Sequence, residues 1–249
     1  MKDIALIINT ISKNHDVWEA FFKQLEKHVS SDFFSKKYVF LDDDLGLIPD
    51  DFEILKYDPN VLYRSQFLSC IEQVEEKFCV YISEDYILYD NMDEKKVSSF
   101  VDVLLSNDDI SFIRFMRGGV YDQGYKKYDE NLFYLHNDKD YFYTNQAALW
   151  KTETLKKIHF MGPELHIANK DWQNSFEYQA SKVCRELNIQ GLFSYYGESK
   201  RGLYHYDSII FPHISTALVK GKWNMSEYSK EMTNIVKKYN INIMKRGWS

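Results

Sequence analysis

The chain has 249 residues, 45% hydrophobic and 27% charged, with a net charge of −6. That balance excludes a disordered chain and a general nucleic-acid binder, whose phosphate contacts need clustered Lys and Arg. Cys70, Cys79 and Cys184 lie in apolar contexts and read as reduced core thiols of a cytoplasmic protein. Met1-Lys2-Asp3 leads directly into an apolar run, so no signal sequence is expected. No apolar stretch approaches the ~18 residues of a membrane span, which leaves peripheral contact as the only membrane contact expected.

Ile4–Ile8 reads as a buried strand ending at Asn9-Thr10, with a polar turn through Ser12-Lys13-Asn14. Trp18, Phe21, Phe22, Leu25 and Val29 then recur at helical spacing. Tyr38–Leu41 is a second strand, closed by Asp42-Asp43-Asp44. Phe52–Leu55 reads as a third, punctuated by Asp58-Pro59-Asn60. Phe67, Leu68, Ile71 and Val74 make a helix that delivers the chain into the strand Phe78–Ile82. Val97, Phe100, Val101, Leu104 and Leu105 share a helical face, and Ile110–Phe115 is the next strand. This β-α-β-β-α-β-α-β order predicts an α/β fold with a mostly parallel sheet and helices on both faces.

The second half is less regular. Residues 117–140 are Gly/Asp/Tyr-rich (Arg117-Gly118-Gly119, Asp122-Gln123-Gly124), a long loop or a hairpin. Tyr141–Trp150 reads as strand and Thr152–Ile158 as a short helix, followed by a loop over 161–174. Phe176, Ala180, Val183, Cys184 and Leu187 form a helical stripe, and Leu192–Tyr196 returns as strand. His205 and His213 flank a strand-like Tyr206–Phe211, and Tyr228, Met232, Ile235 and Val236 mark a last helix capped by Ser226. No repeat or linker divides the chain, so 1–249 is read as a single domain.

The chemistry concentrates where Phe78–Ile82 runs into Ser83, Glu84 and Asp85. Carboxylates at the carboxyl end of a buried strand are costly unless they bind something, and in an open α/β sheet that end is where ligands sit. Hard oxygen donors there suit a divalent metal carrying a diphosphate; a strand-end acid satisfied by backbone N–H groups is the competing reading. Lys220-Gly221-Lys222-Trp223 is a basic turn whose glycine allows close approach to a ligand, or simply a solvated turn. Tyr121, Tyr125, Tyr128, Tyr141, Tyr143, Trp150 and Trp172 suit stacking on sugar rings, although some must fill core.

Four segments carry a resemblance. Leu62-Tyr63-Arg64-Ser65 is similar to an Ala-Arg-Asn segment, and Tyr81–Leu88 looks like a variant acidic DxD motif. Tyr143–Lys151 is similar to the strand behind an acceptor pocket, and Trp172–Glu177 to an aromatic-acidic helix start. In that order they resemble nucleotide-sugar glycosyltransferases of the GT-A fold, in particular the family-2-like members. The resemblance implies a nucleotide-sugar-binding half at 1–116 and an acceptor half at 117–249. It also implies a UDP- or other NDP-sugar donor, a glycan or lipid-linked saccharide acceptor, and a role in polysaccharide biosynthesis.

The same resemblance implies site roles. Thr10, Asp42, Arg64, Ser83, Glu84, Lys220 and Lys222 would contact the donor. Asp85 would hold a divalent metal, Mn or Mg, with His213 as an additional ligand. Glu177 would be the base of an inverting transfer, with Asp171 competing; Asn174-Ser175-Phe176-Glu177 also fits a helix-capping box. Ser83 stands where the family has its first Asp, which puts metal dependence in question because some members neutralise the diphosphate with basic side chains. A nucleotidyltransferase and a non-catalytic nucleotide- or glycan-binding relative are the alternatives. Against the former, Asn9–Asn14 contains no glycine.

Overall fold

The computed structural model describes residues 3–119, 125–167 and 171–248. Tyr121 and Asp122-Gln123-Gly124, named above, lie outside the described residues, as do positions 168–170 of the 161–174 loop.

The first half follows the expected order with one short strand, β5, added: β1 (Ile4–Asn9), α1 (His15–His28), β2 (Lys36–Leu41), β3 (Glu53–Lys56), α2 (Tyr63–Ile71), β4 (Phe78–Ser83), β5 (Ile87–Leu88), α3 (Glu94–Ser106) and β6 (Ile110–Arg114). The second half adds β7 (Leu132–Tyr134), β8 (Ala148–Lys151), α4 (Thr152–Met161), α5 (Phe176–Glu186), β9 (Gln190–Ser194), β10 (His213–Ile214), β11 (Leu218–Val219), β12 (Lys222–Trp223) and α6 (Ser229–Lys238). Eight strands form one sheet in the order β3-β2-β1-β4-β8-β6-β9-β7. β3, β2, β1 and β4 are parallel. β8 is wedged antiparallel between β4 and β6, β9 is parallel to β6, and β7 closes the edge antiparallel.

β1 and β4 are apolar at nearly every position because both faces of the sheet are covered. Ile4, Leu6, Ile8, Phe78, Val80 and Ile82 point into one core with Trp18 and Phe21 of α1 and Val97 and Phe100 of α3. Ala5, Ile7, Cys79 and Tyr81 alternate into the other, with Phe67 of α2, Ile158 of α4 and Phe176 of α5. Each large side chain so buried contributes roughly 1.5–3 kcal/mol. Phe112 stacks on Trp150 with centroids 4.1 Å apart. Gly191 makes room for that ring: a Cβ there would lie 2.2 Å from it. The three cysteines are buried and free, and burial pushes the Cys70 and Cys79 thiols up to about 11 and about 12. No helix among the described residues is long and apolar enough to cross a membrane.

Four local expectations are corrected. The strand expected over Tyr141–Trp150 is confined to Ala148–Lys151. Side chains occupy the backbone groups that a longer ladder would have used. Arg114 Nη2 donates to the carbonyls of Tyr141 (3.4 Å) and Phe142 (3.0 Å), and Glu177 accepts the Asn145 N–H (2.7 Å). Tyr206–Phe211 forms no strand; Tyr206 makes one isolated bridge, and Ser208 Oγ takes the Phe211 N–H at 3.0 Å. Ser226 does not cap α6, whose N-cap is Tyr228, because its hydroxyl donates to Asn224 Oδ1 at 2.8 Å. α5 is capped by Ser175, which accepts the Tyr178 N–H, so Asn174 and Glu177 form no capping box.

Candidate active site

β1 and β4 end side by side, with Asn9 paired to Ser83. The chain then turns sharply, Tyr86 N–H donating to the Ser83 carbonyl at 3.1 Å, so that Glu84 and Asp85 sit in the turn between β4 and β5. A cavity of about 560 Å³ opens there, lined by Asn9, Thr10, Asn14, Tyr57, Tyr63, Gln66, Ser83, Glu84, Asp85, His166, Ile167, Leu218 and Gly221. It lies at the carboxyl ends of the parallel strands, where open α/β sheets bind ligands.

The acidic pair is the electrostatic centre of the cavity. Burial pushes the Asp85 carboxyl up to about 8, and the neighbouring Glu84 charge adds to the rise. Burial also raises Glu84, against the opposing pull of the hydrogen bond that Asn14 Nδ2 donates to its Oε1. Two carboxylates share a confined site in which a cation would restore charge balance. They offer the oxygen donors that a divalent cation takes together with phosphate oxygens, so the residues present fit a metal-diphosphate group. Among the described residues no cluster of three His, Cys, Asp or Glu forms a self-sufficient metal cage.

The other expected donor contacts divide. Thr10 forms part of the cavity wall and is locked in place: its Oγ1 accepts Trp18 Nε1 and its carbonyl accepts the Tyr57 hydroxyl, both at 2.8 Å. Asp42 is not in the wall; it accepts the backbone N–H (2.6 Å) and hydroxyl (2.8 Å) of Ser12 and so shapes the loop after β1. Arg64 is directed elsewhere. Its guanidinium donates to the His159 and Phe160 carbonyls at the end of α4 (2.9 and 2.7 Å) and pairs with Glu164 at 2.8 Å. An arginine at a helix C-terminus meets the carbonyls left free there and the negative end of the helix dipole. Lys220 and Gly221, at φ 51° and 76°, form the two-residue turn of the β11–β12 hairpin, the geometry of a type I′ turn. Gly221 touches the cavity, while Lys220 and Lys222 beside it in the hairpin are exposed and not part of the wall.

His213 does not join the acidic pair in the cavity wall. It is buried on β10, its Nδ1 2.6 Å from the Phe211 carbonyl, its ring 5.1 Å from that of Tyr86, and burial pushes it down to about 4. Glu177 lies in the first turn of α5 with its carboxyl raised by burial, which outweighs the Asn145 N–H and the Arg114 charge. Glu177 is not part of the cavity wall; it is linked to Tyr86, the residue after Asp85, through Asn145, whose N–H it accepts at 2.7 Å and whose carbonyl accepts the Tyr86 hydroxyl at 2.9 Å. Asp171 is exposed and caps the short turn Trp172–Asn174, accepting from Asn174 Nδ2 at 2.7 Å.

Arg246 escaped the sequence reading. Its guanidinium grips Asp16 (Nε to Oδ2, 2.7 Å) and also donates to Asn14 Oδ1 at 3.0 Å and the Gly221 carbonyl at 3.5 Å. It thereby ties the chain's last segment to α1, to the loop after β1 and to the hairpin on the cavity rim. Lys245-Arg246-Gly247 is a basic tripeptide, yet no spacing rule links it to Asp16, 230 positions earlier.

The strand order is that of a GT-A-like α/β fold, with the crevice at the carboxyl ends of its parallel strands. No protein-family model and no curated protein matches the chain. Among solved structures, S. aureus TarS 1–349 in complex with UDP is similar at a TM-score of 0.50 and 15% identity, over 97% of this chain and 67% of that one. The UDP-GlcNAc complex of the same TarS segment gives 0.48 and 16%, over 97% and 68%. A cytidylyltransferase from Leptospira borgpetersenii serovar Hardjo-bovis (strain JB197) gives 0.48 and 11%, over 100% and 99%. These are likenesses of fold.

Proposed function

We propose that the protein is a glycosyltransferase that moves a sugar from a UDP- or other NDP-sugar to a hydroxyl of a glycan or lipid-linked saccharide in the cytoplasm. The observation that carries this reading is the under-compensated Glu84–Asp85 pair in a cavity of about 560 Å³ at the strand ends. That volume falls within the range of small-molecule sites. Thr10, Tyr57 and Gln66 would wall the nucleoside, in the 1–116 half. Asp85, with Glu84 beside it, would hold Mn or Mg, which when bound neutralises charge on the departing diphosphate. Lys220, Lys222 and Arg246 would add positive charge from the rim.

In the transfer the acceptor oxygen forms a bond to the anomeric carbon as the bond from that carbon to the diphosphate oxygen breaks. The acceptor proton passes to Glu177, whose raised carboxyl suits a general base. Attack from the side opposite the leaving group inverts the anomeric centre. Asp171 remains the competing base, on the 117–249 side. The glycine-free loop Asn9–Asn14 argues against a nucleotidyltransferase.

Thermal denaturation with UDP, UDP-sugars and CTP, with and without Mn, tests the reading. A ligand at a hundred times its Kd adds ~2.7 kcal/mol, worth roughly 5–10 °C for a chain of this size. UDP with Mn should give such a shift. No shift with any of these nucleotides would remove the proposal.

A further inference from the structure

The aromatic residues of the second half do not share one fate. Tyr143 and Trp150 are fully buried core, whereas Trp172 is 42% exposed. Its indole is nevertheless held in place. Tyr141 stacks with it at 6.1 Å and 25°, and Tyr178 meets it edge-on at 4.8 Å and 81°. An aromatic ring braced by two others, with much of its surface open to water, is a preformed binding face.

The backbone supports the same view. Tyr141 has φ 59°, a left-handed conformation that bulky residues avoid and that clusters at functional sites. Arg114, buried beneath it, holds the Tyr141 and Phe142 carbonyls. The Trp172 carbonyl accepts both the N–H and the hydroxyl of Ser175 (3.1 and 2.7 Å), which pins the tryptophan to the cap of α5.

Its place follows from one further bond. Phe176 N–H donates to the His166 carbonyl at 3.0 Å, and His166 is part of the cavity wall. Trp172 is four residues from Phe176, so its Cα lies within ~14 Å of that wall-anchored position. Glu177 comes next in the chain and Tyr178 after it. The indole and the candidate base therefore share one helix start. Asp171, Gln173 and Asn174, the chain neighbours of Trp172, are exposed, and the Asp171 carboxylate accepts the Gln173 N–H and Asn174 Nδ2.

We propose that Trp172, braced by Tyr141 and Tyr178, is the stacking platform for a pyranose ring of the acceptor saccharide. A pyranose carries C–H groups on its face and hydroxyls at its rim. It complements an exposed, braced indole whose chain neighbours carry a carboxylate and amides. The acceptor role rests on the glycosyltransferase reading; saccharide binding at this face does not.

The test uses the full chain and four trisaccharides (chitotriose, maltotriose, cellotriose and mannotriose), titrated without nucleotide. Trp18, Trp150 and Trp223 are buried and Trp248 is 50% exposed, so in a Trp248→Phe background the tryptophan emission open to acrylamide quenching is that of Trp172. At least one trisaccharide should saturably protect that emission from acrylamide, with a Kd of ~1–10 mM. Saturation-transfer NMR should show that Trp172→Ala weakens this binding about tenfold or more, while Trp172→Phe retains it. Undiminished binding by Trp172→Ala, or no saturable protection by any of the four, would overturn the proposal. The emission titration decides the matter even if Trp172→Ala fails to fold. A separate UDP thermal shift on the parent distinguishes the two claims: saccharide binding without a UDP shift keeps the platform and removes the donor reading.

Discussion

Replacing Asp85 by asparagine should make the ligand-free protein more stable. Burial and the Glu84 charge push the Asp85 carboxyl up to about 8 from an ordinary value of 3.8. Between those two values the folded chain holds a proton that the unfolded chain has released. Stability therefore falls as pH rises, by at most ~1.4 kcal/mol per pH unit, and levels off above the folded value. At pH 7.5 the full gap is ~5 kcal/mol. Water in the open cavity and relaxation of the acidic pair relieve part of it, so the expected gain for Asp85→Asn is ~1–3 kcal/mol. That corresponds to a rise in Tm of roughly 3–10 °C. The assay is thermal and denaturant unfolding of both proteins from pH 5 to 8.5, where the variant should also show the shallower pH slope. Adding UDP and Mn should reverse the ranking, because only the parent gains stability from them. A variant less stable than the parent at pH 7.5, or an unchanged slope, would refute the reasoning.

Glu177→Gln should lower turnover ~10²-fold or more with UDP affinity unchanged in titration calorimetry; near-normal turnover would move the base to Asp171. The amide oxygen can still accept the Asn145 N–H, so its Tm should change little. Arg64→Ala should lower stability by ~1–3 kcal/mol, since it strips two hydrogen bonds to the end of α4 and one to Glu164 beyond it, and leave the UDP-induced shift intact. A lost UDP shift would return Arg64 to the donor site. Arg246→Ala should both lower Tm, by leaving the half-buried Asp16 and Asn14 without their partner, and weaken UDP binding. Unaltered UDP affinity would confine Arg246 to a structural role.

The parts of this fold legible in the sequence are those whose physics is local. β1 and β4 stood out because both faces of the sheet are buried, which leaves an unbroken apolar run. The acids at the end of β4 were conspicuous for interrupting it. The antiparallel entry of β8 was not legible: Ala148, Leu149 and Trp150 are buried like any central strand, and burial carries no sign of direction. Tyr141–Ala147 looked like strand by composition, but its backbone is held by Arg114 and Glu177, side chains separated from it in sequence by about 30 positions. Arg64 opens a helix beside the cavity, a position that suggests phosphate, yet its long side chain reaches α4 instead. Arg246 depends on the last segment folding back across the molecule, which nothing in its own neighbourhood announces.

Product analysis tests the central claim most directly. The protein is incubated with Mn and a panel of UDP-sugars, or with CTP and sugar phosphates, and the products are separated by ion-exchange chromatography. The account predicts slow release of UDP from at least one UDP-sugar, lost in Asp85→Ala, and no pyrophosphate from CTP. Pyrophosphate release from CTP, with every UDP-sugar left intact, would contradict it and make the protein a nucleotidyltransferase.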